Sequence, residues 1–424
     1  MKIEVKRAVA DKKYTLCTLD SGLKIYLYKM SGFTSYYGMF GTRYGSVDNA
    51  FVDEKGNTVE LPEGIAHFLE HKLFESEDGD AFTKYSKTGA YSNAYTSFDR
   101  TCYLFACSDR FYENLGILLD FVRSPYFTAQ TVAKEQGIIG QEIRMYDDQP
   151  TWQVLFNMLS AMYFNHPVKI DIAGTVESIS KITDELLYKC YDKFYNLSNM
   201  FITLAGDFDE QEVLKFINEN LKTSPKKEVV PAVIKEPEQV VKPYVEVSFP
   251  VAKPLFCIGF KEPFSEAFVG TKKAIAMEVL LKMLVGSAST LYKTLLDKEL
   301  INEEFAPEYF TGRTIAIPMF DGESKDPQMV KELILKEAEA FKTNGLNPVL
   351  FEAVRKDMLG RMLRRFDSAE GICSILADSN ILGYELFDYI EDLKNLKIED
   401  VAERLSVFKE ETCVLSVVKP SQSI

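Results

Sequence analysis

Histidine is nearly missing from this chain: only His67, His71 and His166 occur in 424 residues. Basic charge is also in short supply, with 49 Lys and Arg against 63 Asp and Glu, a net charge of −14. A surface that binds phosphate backbones needs a basic footprint, so nucleic acid is excluded as the main partner. A neutral or basic peptide is compatible with the acidic balance. No Cys-x-x-Cys pair occurs, and the seven cysteines are odd in number and scattered (Cys17, Cys102, Cys107, Cys190, Cys257, Cys373, Cys413). That excludes a disulfide framework and fits buried thiols in a reducing compartment. No apolar run reaches the roughly 18 residues that a membrane span needs. The start, Met1 to Arg7, has no apolar core of signal-peptide length. Together these features predict a cytoplasmic protein.

The length is enough for two domains with full cores, and the apolar share (46%) and charged share (26%) are those of an ordinary globular chain. Strand-like runs cover 14–19, 23–28 and 35–44, with Gly38, Gly41 and Gly45 marking bends or close approach. A further strand or hairpin covers 90–106. Helical patterns follow at 81–87, 111–122, 128–145, up to about 164, and 182–195, before a strand at 200–207. From Lys222 to Pro243 prolines, Lys and Glu dominate, which predicts an exposed linker. Beyond it come a strand-like stretch (244–260), helices at 271–284, 289–298, 328–343, 348–366 and 398–408, and a strand at 413–418. The predicted domains are therefore 1–221 and 244–424, joined by 222–243. The order of elements repeats between them, each closing with helix then strand.

The stretch Gly64-Ile65-Ala66-His67-Phe68-Leu69-Glu70-His71 carries the chemistry. Pro62 is expected in its first turn and Glu63 at its positive end. Residues four apart share a helix face, so His67 and His71 can aim two imidazoles at one point, with Glu70 at the rim. Two neutral imidazoles suit zinc, and a carboxylate beside an open position can take a proton from water. This order is the inverted zincin motif. The bland alternative is an amphipathic helix with two incidental histidines, a rare coincidence when the chain has three. His166, in Asn165-His166-Pro167, reads as a turn or capping residue.

A catalytic zinc wants a third protein ligand. Glu135 and Glu142 are seven apart on the helical pattern around Gly137 and Gly140, hence on one face. Each glycine weakens a helix by about 1 kcal/mol relative to Ala, which suggests close packing against another element, with the histidine helix a candidate. A solvated acidic face is the alternative reading of the two glutamates.

These motifs resemble the pitrilysin/insulinase family, in which His-x-x-Glu-His is followed downstream by Glu-x6-Glu. Here Glu142 stands 142 − 71 = 71 residues after His71. The resemblance implies that His67, His71 and Glu142 bind Zn2+, that Glu70 is the general base and that Glu135 orients a ligand. It implies that the edge around Asn93, Ala94 and Tyr95 binds substrate backbone as an added strand. Gly174 and the stretch from Asn199 to Asp207 are further landmarks. The implied fold is α+β: two similar domains arranged as a clamshell, each a mainly antiparallel sheet packed with helices. The implied activity is endopeptidase cleavage of an extended peptide held between them. Active members also carry Arg and Tyr seven apart in the second half, where they contact the substrate carbonyl. The matching stretch, Ser289 to Glu303, puts Leu296 and Glu303 there. Neither donates a hydrogen bond at neutral pH, and loss of one oxyanion donor costs roughly 10²–10³ in rate. Either the pair lies elsewhere or another chain supplies it. Some bacterial members divide zinc and the Arg/Tyr pair between subunits, so a homologous partner subunit is expected, or a homodimer. A zinc-bearing but non-catalytic scaffold subunit is the competing expectation.

Overall fold

The computed structural model describes residues 2–7, 12–77, 79–224, 226–263 and 271–421. The chain divides into two compact units. One contains Met1–Ile143, Asp171–Val233 and Leu363–Phe387; the other contains Arg144–Ile170, Ile234–Met362 and Asp388–Ile424.

The first unit is built on a seven-stranded open sheet. Across it the strands run Lys2–Arg7, Lys13–Thr18, Lys24–Lys29, Met200–Gly206, Tyr36–Thr42, Thr101–Cys107 and Tyr91–Thr96. Every pairing is antiparallel except Met200–Gly206 with Lys24–Lys29. Met200–Gly206 is buried along its whole length, as expected of a central strand covered on both faces. Next to it, Gly41 lets the Phe201 ring lie against the backbone: a Cβ there would come within 2.3 Å of that ring. One core joins this sheet to the flanking helices through Phe40, Phe68, Phe105, Leu118 and Leu204.

The second unit carries a five-stranded sheet in the order Tyr244–Phe249, Cys413–Pro420, Leu255–Phe260, Ala316–Glu323 and Ala306–Thr311. Here too one pairing is parallel, Tyr244–Phe249 with Cys413–Pro420. Its core gathers Phe256, Phe260, Phe320, Leu280, Leu284 and Phe408. The fold is thus α+β with mainly antiparallel sheets.

Each sheet is covered by a helix from the other half of the chain. Pro150–Met162 packs on Leu255–Phe260 and Cys413–Pro420 in the second unit, and Ala369–Leu382 packs on Tyr36–Thr42 and Met200–Gly206 in the first. The sequence patterns assign no element to Ala369–Leu382, Leu386–Asn395, Ala306–Thr311 or Ala316–Glu323. Ala369–Leu382 hides from a periodicity test because nine of its fourteen residues are buried, blurring its polar face. The stretch 244–260 is two strands rather than one, and the helix expected over 398–408 is Ile398–Glu403 continued by a 3-10 turn.

Among its described residues the proline-rich stretch 222–243 holds no helix or strand, and each, taken as a whole residue, is exposed or half-buried, yet it is tied to its surroundings at several points. The Glu236 side chain is wholly buried. It accepts the backbone N–H groups of Phe164, Asn165 and His166 at 2.7–2.9 Å and the Lys261 ammonium at 2.7 Å. A buried carboxylate persists only when its lone pairs are filled in this way. Nearer the first sheet, Val230 accepts from the Val52 N–H at 3.0 Å and Lys227 from the Ser198 hydroxyl at 2.7 Å.

Candidate metal centre

The histidine helix spans Ile65–Leu73, and eight of its nine residues are buried. Gly64 caps it in the left-handed region at φ 84°, and a Cβ there would lie 2.2 Å from the Ala173 carbonyl oxygen. Gly174, φ 73°, meets the Glu63 carbonyl from the other side, and the Ser178 hydroxyl donates to that carbonyl at 2.9 Å. Two backbones therefore cross where only glycine fits, and the crossing fixes where the helix starts. Pro62 and Glu63 lie ahead of this cap, outside the first turn where they were expected, because the left-handed Gly64 starts the helix later.

The second contributing helix spans Ala129–Asp147. Glu135 is buried and Glu142 partly exposed. Of the two glycines between them, Gly140 is buried but Gly137 faces open space, so the expected close packing at Gly137 does not occur.

The predicted groups converge. Glu142 reaches both imidazoles, Oε1 lying 3.7 Å from His67 Nε2 and Oε2 lying 3.5 Å from His71 Nε2. One ligand atom from each of the three residues falls within 4.8 Å of the others. Two ligand atoms at zinc bond lengths in tetrahedral array stand roughly 3.4 Å apart, so these separations suit one ion shared among three donors. Glu135 Oε1 lies 3.1 Å from His71 Nδ1. That contact leaves Nε2 of His71 as the donor toward the shared point and fixes the ring's orientation. His67 Nδ1 is buried without a hydrogen-bond partner. The donor set and its convergence therefore fit zinc.

The charges are graded. Burial drives His67 down to about 3, and the neighbouring His71 adds to the effect, so His67 is neutral at pH 7. Burial also pulls His71 down, but the hydrogen bond it donates to Glu135 and the charges of Glu70, Glu142 and Glu135 outweigh it and leave it raised. Burial raises Glu70; the His71 charge and hydrogen bonds from Thr96 pull the other way, and the balance stays above its ordinary value. The Thr96 hydroxyl donates to Glu70 Oε2 at 2.8 Å. The sequence reading placed Thr96 at the end of the substrate-edge stretch and gave its side chain no part in holding Glu70. The only available signal was its place at the end of the strand-like run.

Asn93, Ala94 and Tyr95 lie on Tyr91–Thr96, the outermost strand of the first sheet, which packs against the histidine helix. Asn93 Oδ1 accepts from the Ala94 N–H at 2.9 Å, and its Nδ2 donates to the Tyr91 hydroxyl at 3.0 Å. His166 stands apart in the second unit. It is fully buried and caps a 3-10 turn by accepting the Val168 N–H at Nδ1. Leu296 packs against the second core, and Glu303 is exposed.

A buried imidazole, a half-buried one, a converging carboxylate and a separate carboxylate beside them have the donor set of a candidate metal centre. Residues 55–176 match the family description Insulinase (Peptidase family M16), and residues 181–358 match Peptidase M16 inactive domain. The chain is 39% identical to the uncharacterized zinc protease YmfH of Bacillus subtilis over 92% of its own length and 95% of that protein. The crystal structure described as an M16-like peptidase from Alicyclobacillus acidocaldarius superposes with a TM-score of 0.92 at 34% identity, covering 99% of each chain. A protease from Helicobacter pylori shares the fold, with a TM-score of 0.84 at 21% identity over 96% of this chain and 100% of that one. The chain belongs to the insulinase, or M16, peptidase family.

Proposed function

We propose that the protein is a zinc-dependent endopeptidase that takes an extended peptide along the free edge of Tyr91–Thr96. The observation that carries this reading is the convergence of His67, His71 and Glu142, with the Glu70 carboxylate beside them and not among the three. Zinc, when bound by those three residues, supplies Lewis-acid polarisation of a scissile carbonyl and acidifies a water. Glu70 is the base that takes the proton and returns it to the leaving amine. Its raised proton affinity suits both halves of that exchange. Thr96 holds the carboxylate in place, and Glu135 holds His71. Backbone groups on the outer strand pair with the substrate main chain, and Asn93 gives up its contacts along its own strand to hold a substrate carbonyl.

Leu296 and Glu303 offer no donor for the developing oxyanion, which supports the reading that a homologous partner subunit supplies an Arg/Tyr pair. The seven free cysteines, six of them buried, support a reducing cytoplasmic setting. Among the described residues no single helix is long and apolar enough to cross a membrane.

The test is metal content by plasma mass spectrometry on wild type and Glu142→Gln. One zinc per wild-type chain, with marked loss in the variant, is expected. Peptide hydrolysis by the chain alone and with candidate partner subunits follows. A second reading, a zinc-bearing scaffold subunit, is favoured by the absent donors at Leu296 and Glu303. It takes over if zinc binds but no mixture with a homologous subunit cleaves peptide in a Glu70-dependent way.

A further inference from the structure

Two residues past the histidine helix lies Glu75, in a short strand paired with Gly79–Asp80. Its carboxylate is divided between two ammonium groups. Oε2 accepts from Lys72, whose side chain is wholly buried on the histidine helix, and Oε1 lies 3.4 Å from Nζ of Lys134 on the second helix. These lysines are not placed at random. Lys72 follows His71, and Lys134 precedes Glu135, so the link through Glu75 runs beside the direct contact between His71 and Glu135.

Neighbouring positions on a helix are turned by about 100° from one another. A single contact between two helices leaves each free to roll about its axis. Two links leaving adjacent positions resist that roll. Roll of the second helix would move Glu142 across the two imidazoles, because Glu142 stands two turns beyond Glu135 on the same face. A buried ammonium also needs a carboxylate to persist, which ties Glu75 firmly to the histidine helix.

We propose that Glu75 is a positioning residue of the metal centre, strapping Lys72 of the histidine helix to Lys134 of the second helix so that Glu142 meets His67 and His71. This rests on the reading that the centre binds zinc. Glu75 touches neither metal nor substrate, and it acts through the angle between the helices.

The experiment is zinc affinity, measured by competition with a chromophoric chelator, alongside melting of the zinc-free protein. Glu75→Gln is expected to weaken zinc about tenfold or more, the range for groups that orient ligands. Lys134→Met removes only the exposed arm of the strap. It is expected to weaken zinc about two- to fivefold, in keeping with an exposed ion pair, with melting unchanged. The double variant Lys72→Met/Glu75→Leu removes the need to neutralise a buried charge but keeps no strap, so its zinc affinity is expected to stay low. Wild-type affinity in that double variant, or in both Lys134→Met and a folded Glu75→Gln, overturns the proposal. If Glu75→Gln does not fold, Lys134→Met and the double variant decide. A wild-type chain that binds no zinc overturns the underlying metal reading itself, and the proposal with it.

Discussion

In the first sheet Lys24–Lys29 lies parallel to Met200–Gly206, followed by Tyr36–Thr42, Thr101–Cys107 and Tyr91–Thr96. In the second, Tyr244–Phe249 lies parallel to Cys413–Pro420, followed by Leu255–Phe260, Ala316–Glu323 and Ala306–Thr311. The two orders are the same, strand for strand in chain position, and the first unit adds Lys2–Arg7 and Lys13–Thr18 at one side. In chain order, a helix packed on the outer strand comes between Tyr36–Thr42 and Tyr91–Thr96 in the first set, Ile65–Leu73, and between Leu255–Phe260 and Ala306–Thr311 in the second, Thr271–Val285. The first carries His67, Glu70 and His71. In the second, ten of fifteen residues are buried and apolar, and the helix's one carboxylate, Glu278, is met by the Tyr389 hydroxyl at 3.1 Å. The same scaffold thus holds a candidate metal centre in one copy and packed hydrocarbon in the other. The chemistry lives in a few side chains, not in the fold.

Changing the first copy's chemistry without touching its scaffold gives the largest expected effect. Glu70→Gln should lower peptide hydrolysis by about 10²–10⁴-fold, the usual worth of a general base, with zinc content unchanged by plasma mass spectrometry. Retained hydrolysis at full zinc loading would remove Glu70 from the mechanism. The converse perturbation strikes the second unit, away from the paired histidines. Lys261 is buried and donates to Glu236 and to the Met162 and Gln239 carbonyls. Lys261→Met strands a buried carboxylate and should cost about 3–5 kcal/mol in a urea titration. Zinc stoichiometry should stay at one per chain. A loss below about 1 kcal/mol would show that the pair is not what anchors 222–243.

Gly64→Ala tests whether the backbone crossing at Ala173 is what starts the histidine helix. A left-handed alanine at that contact should cost about 1–3 kcal/mol, seen as a lower melting temperature together with weaker zinc binding. Unchanged melting would mean that the crossing can open without cost. The smallest effect concerns Glu278, which burial pushes up to about 7. Its folded pKa is above the unfolded value, so its contribution is fully present below about 4.5 and lost as pH rises through about 7. Glu278→Gln should flatten that dependence, with the gap between melting at pH 5 and pH 8 shrinking by a few degrees. An identical gap in the variant would place the titrating group elsewhere.

Much of the architecture was legible where signals are local. The helix Phe111–Val122 ends at the Ser124-Pro125 stop, and Gly89 closes Ala81–Thr88 in the left-handed conformation. The repeated order of elements was legible too. The strands Ala306–Thr311 and Ala316–Glu323 were not, and neither was the exchanged helix Ala369–Leu382, whose burial removes the amphipathic period. Glu236 looked like one more charge in a polar stretch. Only its partners, some 70 residues upstream and 25 downstream, make it a buried anchor.

The sequence by itself determined that His67, Glu70 and His71 share one helix and that Glu135 and Glu142 share another, because spacing along a helix is a local property. Tertiary structure alone decided the rest. It turned Glu142 toward both imidazoles and Glu135 toward His71 Nδ1, and it divided Glu75 between two lysines. It also laid each exchanged helix on a sheet from the other half of the chain. Those outcomes depend on how distant surfaces pack and which buried charges must find partners, and neither is written in any one stretch of residues.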